Sequence, residues 1–370
     1  MKLDNLSTPS IILNLDALEN NIKRFHGLAL ENNKEIWPMI KTHKSSEILK
    51  IQKDNGASGV LCGTLDECEA SYKAGFENIM YAYPVSDEIA IQRIIKLSKK
   101  CNFIIRIDNF ESAKLIDEKA KDENVKINYS LIINCGLNRF GIDKENTLNF
   151  LEEIKEFDNL ILVGISSHPG HVYSAKVPEE VEKYVNDEVG TLKYVKKLLN
   201  SHGYNLKYIS SGSTPTFLKA VKNNTINVFH PGNYVFLDAI QISLGICKEK
   251  DCALRVLASV ISNPRESNFM LDAGAKCLGL DQGAHGNDSI KGHGIIIGHE
   301  NALIESLSEE VGKVKDTEKK LRVGERIQII PNHSCSTANL TNYFYAYRNN
   351  EVEKIIEVDI RGNSKKQILE

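Results

Sequence analysis

The chain has 370 residues, 42% of them apolar, and a formal charge of -3 from 46 Lys+Arg against 49 Asp+Glu. That is more than one average domain and enough apolar surface for a large core; the near-balance of charge leaves no field to draw nucleic acid or an anionic membrane, so neither is expected as a partner. The first residues, MKLDNLSTPS, lack a leader pattern, no apolar run nears the roughly 20 residues of a spanning helix, and eight scattered cysteines form no CxxC pair, which together predict a cytoplasmic protein with reduced thiols.

In chain order, an early apolar run at 10–15 precedes the first helical pattern. From about 35 to 230, eight apolar runs follow, at 36–41, 59–62, 78–83, 102–107, 125–134, 160–167, 207–211 and 227–230. Helical spacing fills the gaps, at 47–55, 66–74, 86–99, 110–122, 145–157, 178–201 and 216–223. Continuous apolar strands alternating with helices predict parallel βαβ units, and eight of them predict a closed (β/α)8 TIM-type barrel. A doubly wound open sheet is the alternative that counting leaves open. After Gly245 the pattern changes to strands at 254–262, 268–272, 294–298, 326–330 and 352–360 without long helices. The expected domains are therefore a barrel over 16–245 and a β-rich domain over 246–370, with 1–15 added to the latter as a strand. The charged segments 305–311 and 313–321 are expected as solvated loops.

A barrel carries its chemistry at the C-terminal ends of its strands. Those ends hold Lys41-Thr42-His43-Lys44, Gly136 to Gly141 with Arg139, His168 to His171, Ser210 to Thr214, and His230 to Tyr234. The Ser/Gly/Thr run before a helix offers amides and hydroxyls for a phosphate, although an ordinary N-capping turn has the same composition. A lysine ending an apolar strand suits covalent amine chemistry when burial lowers its pKa; a lysine reaching to the rim reads the same. His333 and Cys335, two apart in an extended segment, would face one point as half of a zinc site, or would simply pack.

Taken together, the stretches TPSIILNLDALENNI, WPMIKTHKS, GTLDECEASYKAG, NCGLNRFGI, GISSHPGHVY, SSGSTPT, HPGNYVFLD, LDAGAKCLGLD, LSEEVG and PNHSCSTANL resemble, in order and over nearly the whole chain, the fold-type III pyridoxal-phosphate enzymes of the D-serine dehydratase and D-threonine aldolase group. The resemblance implies an alanine-racemase-like fold, pyridoxal 5'-phosphate as cofactor and Lys41, not Lys44, as the lysine that carries it. It further implies Arg139 at the pyridoxal phenolic oxygen and Ser211, Gly212, Ser213 and Thr214 as the phosphate loop. His168, Tyr173 and Tyr234 are expected on the pocket wall, and His333 and Cys335 as ligands of a divalent metal, zinc or else manganese. The HxC pair fits the dehydratase branch, so D-serine to pyruvate and ammonia leads. D-threonine aldolase and 3-hydroxy-D-aspartate aldolase or dehydratase follow, then a racemase or a non-enzymatic pyridoxal-phosphate carrier. The expected partners are a small D-amino acid and a second copy of the chain in a homodimer. Two positions depart from the family's pattern: Asn134 stands where an aspartate is expected, and Val311 where a histidine is common.

Overall fold

The computed structural model describes residues 1–283, 287 and 289–362. Eight parallel strands follow one another around a sheet: Glu35–Ile36, Val60–Cys62, Asn78–Tyr81, Asn102–Ile107, Ile127–Ile132, Leu160–Ser166, Tyr208–Ser211 and Val228–Phe229. From the second strand on, each pairs with the next in sequence, and the first pairs with the last. The remaining seam, between the first and second strands, is joined by a parallel bridge from Met39 to Leu61. This unreversed circular order is a barrel and excludes the doubly wound sheet, whose strand order reverses at a switch point.

Local chemistry explains the alternation. The helices Leu15–Glu31, Ser46–Asp54, Leu65–Lys73, Glu88–Ser98 and Phe110–Asp122 each start behind an Asn, Ser, Thr or Asp whose side chain accepts a first-turn amide. The strands are buried on both faces, so they read as unbroken apolar runs. Their inner face fills the barrel with Trp37, Met39, Leu61, Met80, Ile104, Tyr208 and Val228.

The expectation of a strand through 36–41 needs correction. Strand geometry stops at Ile36, and a 3-10 turn occupies Ile40–Thr42. Pro38 has no amide to donate to a ladder, which ends the strand early. Lys41 therefore projects from a turn above the barrel mouth.

The second layer is a nine-stranded sheet that begins with Ser10–Asn14. This strand runs antiparallel to Leu254–Arg265 and parallel to Tyr343–Arg348. The segments expected as solvated loops instead contain the strands Ala302–Leu307 and Gly312–Asp316, paired antiparallel with Ile304 opposite Val314. Both of those side chains are fully buried. One buried residue between charged ones is what a sheet with a wet face requires, and composition alone reads it as loop. No helix of the described residues is long and apolar enough to cross a membrane.

Candidate active site

A cavity of about 640 Å³ opens at the C-terminal ends of the barrel strands and reaches the β-rich domain. Its wall includes Lys41, Arg106, Arg139, His168, Tyr173, Gly212, Ser213, Thr214, His333 and Cys335. Nine of the eleven residues singled out from sequence line this space: all but Ser211 and Tyr234. Ser211 is buried beneath the loop at the end of its strand. Tyr234, expected on the pocket wall, turns its hydroxyl away from it, to His26 at 2.8 Å and Gln52 at 3.0 Å. The 3-10 turn Asn233–Val235 causes this: its backbone faces the loop, where the Tyr234 amide donates to Thr214 Oγ1 at 3.1 Å, while the ring packs at a tilt on Phe25.

The two lysines of the KTHK turn differ. Lys44 is buried and ion-paired with the buried Glu67, which also accepts the Gly63 amide at 2.6 Å. Lys41 has no carboxylate partner among the described residues; its ammonium lies 3.5 Å from the Tyr83 hydroxyl. Across the cavity, His168 Nδ1 lies 2.9 Å from the Gly212 carbonyl, so Nδ1 carries the proton and Nε2 keeps a lone pair. Burial, with help from the charges of Lys41 and Arg139, lowers its pKa to about 3, which keeps the ring neutral. His230 is held the same way: Nδ1 meets the Trp37 carbonyl at 2.8 Å, and burial and Arg106 lower its pKa to about 3.

His333 and Cys335 are not on a strand. His333 is the N-cap of the short helix Ser334–Ala338, and the first turn brings the thiol round beside the imidazole. His333 Nδ1 sits 3.3 Å from Asp281 Oδ1 and from Ser336 Oγ. Burial opposes charge on His333, but Cys335 and Asp281 outweigh it and raise its pKa. Burial likewise opposes the Cys335 thiolate, and His333 with Thr42 and Asn233 lowers its pKa against it. No third His, Cys, Asp or Glu completes a ligand cluster among the described residues.

Two tests of fit follow. For pyridoxal phosphate, Gly212 has φ +143 and a Cβ there would meet the His230 amide nitrogen at 3.0 Å, so the loop needs glycine to lie this close. The Gly212 and Ser213 amides find no backbone carbonyl among the described residues. With Lys41 and two arginines on one wall, the donors suit a phosphorylated, anionic aldehyde. For a metal, an imidazole oriented through its far nitrogen by a carboxylate, beside an acidified thiol, suits a divalent ion that keeps positions open to water or substrate.

Several wall residues were not legible as site residues: Tyr83, Arg106, Asn233, Asp238, Gln241 and Asn339. Asp238 accepts from Asn233 Nδ2 at 2.7 Å and from the Ser334 amide at 2.9 Å, fixing the metal-site turn against the barrel. The HPGNYVFLD stretch was the available signal for Asn233 and Asp238. Asn134 accepts the Gly136 and Asn138 amides and donates to Asp143 at 3.0 Å, so it braces the loop of Arg139. Val311 sits in the turn after Ala302–Leu307 and does not line the cavity.

Comparison with known proteins agrees with this geometry. Residues 13–239 match the alanine racemase N-terminal domain family, and residues 253–347 match a serine dehydratase domain family. The chain is 31% identical to a D-serine dehydratase of Dictyostelium discoideum, covering 94% of this chain and 95% of that one. It is 25% identical to a 3-hydroxy-D-aspartate aldolase of Paracoccus denitrificans, over 98% and 94% of the two chains. The solved structure of D-threo-3-hydroxyaspartate dehydratase from Delftia sp. HT23 superposes with a TM-score of 0.88 at 25% identity, covering 96% of this chain and 98% of that one.

Proposed function

The chain belongs to the fold-type III pyridoxal-phosphate enzymes of the D-serine dehydratase and D-threonine aldolase family, and from that premise we propose that it is a D-serine dehydratase, releasing pyruvate and ammonia. The observation that carries the reading is that Lys41 and the His333–Cys335 pair open onto one cavity, with Cys335 Sγ 3.3 Å from Thr42 Oγ1 beside the lysine. The similarity to a D-serine dehydratase along nearly the whole chain supports it.

In this reading Lys41 carries pyridoxal phosphate and Gly212, Ser213 and Thr214 cradle its phosphate, with Ser211 bracing that loop from below. Arg139 faces an anionic oxygen of the ring. The cofactor, when bound, supplies an electron sink for the Cα–H bond. Lys41 Nζ would hold the cofactor and is the base placed to take the Cα proton, on the one face it can reach. Neutral His168 and the Tyr173 hydroxyl bound the pocket without adding charge. His333 and Cys335 hold a divalent metal, zinc or else manganese, which supplies Lewis acidity toward the β-hydroxyl. Net, the substrate loses water and then takes it back as the product imine hydrolyses, leaving a keto acid and ammonia. A homodimer in the cytoplasm completes the reading; the eight unpaired thiols suit a reducing compartment.

The test is product analysis with D-serine, D-threonine and 3-hydroxy-D-aspartate. Pyruvate from D-serine is the expected result. Glycine plus an aldehyde as the dominant products would assign the chain to the aldolases instead.

A further inference from the structure

Arg106 lies on the strand Asn102–Ile107, on the same face as Ile104, whose side chain packs inside the barrel with Met80. It is buried and lines the floor of the cavity. Its Nε meets the thioether of Met80 at 3.3 Å, a weak acceptor, and its Nη2 is buried with no partner. No carboxylate pairs with it among the described residues. The ionisable groups that act on it are the Tyr83 hydroxyl, which is no counter-ion at neutral pH, and the Arg139 guanidinium, which repels. Nearby His168 and His230 are held neutral, so they offer no countercharge. Burial pulls the arginine's pKa down to about 10, which still leaves it charged at neutral pH. A guanidinium in this position is desolvated without compensation.

We propose that Arg106 is a binding residue for an anionic oxygen of the molecule that fills the cavity, and that this oxygen supplies the counter-ion the protein lacks. The oxygen belongs either to the cofactor ring or to the carboxylate of the amino acid. Naming these two sources rests on the pyridoxal-phosphate reading; the missing counter-ion does not. The alternative is that Arg106 is served by internal water shared with its unpartnered neighbours, the Ser130 hydroxyl on the next strand and His230 Nε2.

The experiment compares full-length wild type with Arg106→Met and Arg106→Lys. Methionine keeps the length and meets Met80 without charge; lysine keeps the charge. Three quantities are read: the Tm of cofactor-free protein, the Kd for pyridoxal phosphate, and, on loaded protein, the spectral Kd for D-serine against serinol, the achiral amino diol that has no carboxylate. Arg106→Met is expected to raise the cofactor-free Tm while weakening one ligand by about tenfold or more, the worth of a charge-assisted hydrogen bond. A weaker Kd for pyridoxal phosphate assigns the cofactor as source. An unchanged cofactor Kd with weaker D-serine and unaltered serinol assigns the substrate carboxylate. Arg106→Lys is expected to stay within a few-fold of wild type in both, so it reads the proposal even if the methionine variant does not fold. A lower cofactor-free Tm in Arg106→Met with both affinities unchanged would overturn the proposal in favour of solvated structure. So would Arg106→Met and Arg106→Lys weakening ligand equally. Failure of wild type to bind pyridoxal phosphate would fell the cofactor reading alone, because the rise in cofactor-free Tm still reports the uncompensated charge.

Discussion

The ammonium of Lys44 is ion-paired with the carboxylate of Glu67 in the protein interior, which leaves Lys41 as the lysine of the KTHK turn that faces the cavity without a carboxylate. This division of labour separates two effects that a single substitution would confuse. Lys44→Ala strands a buried carboxylate and is expected to cost roughly 3–5 kcal/mol of stability while keeping the visible absorption of lysine-bound cofactor. Lys41→Ala is expected to abolish that absorption with little loss of stability. Spectra and denaturant midpoints of the two variants check both halves, and a reversed pattern refutes the assignment.

One base on one side of the ring makes the reaction stereospecific. D-serine should turn over and L-serine should not, measured as pyruvate release from each enantiomer. Comparable rates would require a second base that the single-lysine arrangement does not supply.

Metal removal should separate binding from turnover. His333 and Cys335 reach the cavity from the β-rich domain, whereas Lys41 and the Gly212 loop belong to the barrel. A chelator, or Cys335→Ala, is expected to leave the spectrum of bound cofactor intact and to stop elimination from D-serine. Added zinc or manganese should restore chelated wild type but not the variant. Unchanged turnover after chelation, with sub-stoichiometric metal by elemental analysis, would remove the metal from the reaction.

Glu188, on the helix Val181–Ser201, makes a pH prediction. Burial raises its pKa from 4.5 to about 7, with the neighbouring Ser211 and Thr216 hydroxyls acting against it. The folded-state pKa is above the unfolded one, so this group's contribution to stability is fully present below about pH 4.5 and is lost as pH rises through about 7. The loss is on the order of 3 kcal/mol, from about 1.4 kcal/mol per pH unit over that window. Glu188→Gln removes the titration. The stability difference, variant minus wild type, should therefore rise between these limits and level off above them. Taking the difference cancels the buried histidines, whose lowered pKa values act in the opposite sense. A flat difference across the window would show that Glu188 ionises normally.

Asn134→Asp would restore the residue expected from the family's pattern, yet here it should be unfavourable. The Asn134 amide donates to Asp143 at 3.0 Å and to Asn138 Oδ1 at 2.8 Å, and a carboxylate would present oxygen to both. The expected outcome is a loss of about 1–3 kcal/mol and a few-fold weaker cofactor Kd through the loop that bears Arg139. Asn134→Asp combined with Asp143→Asn should recover most of both.

The alternation of strands and helices and the change to a β-rich pattern were legible in the chain, because strands buried on both faces must be continuous apolar runs and their helices start at capping residues; the closure of the sheet into a barrel was not, because strand order is a tertiary property. The sequence also determined which motif lysine, phosphate loop and HxC pair to consider, since ordered stretches such as KTHK, SSGSTPT and PNHSC carry residue types with few other uses. Only the tertiary structure decided the rest. The hairpin of Ile304 and Val314 was invisible because one buried residue per pair disappears among charged neighbours. Tyr234 was misdirected because a 3-10 turn, not strand alternation, sets where its ring points. The physical difference between Lys41 and Lys44 lies in Glu67, on the helix Leu65–Lys73, which neutralises Lys44 alone. Arg106 reads in the chain as one charge interrupting an apolar strand. Whether such a charge is compensated depends on every strand that faces it, and no local pattern encodes that.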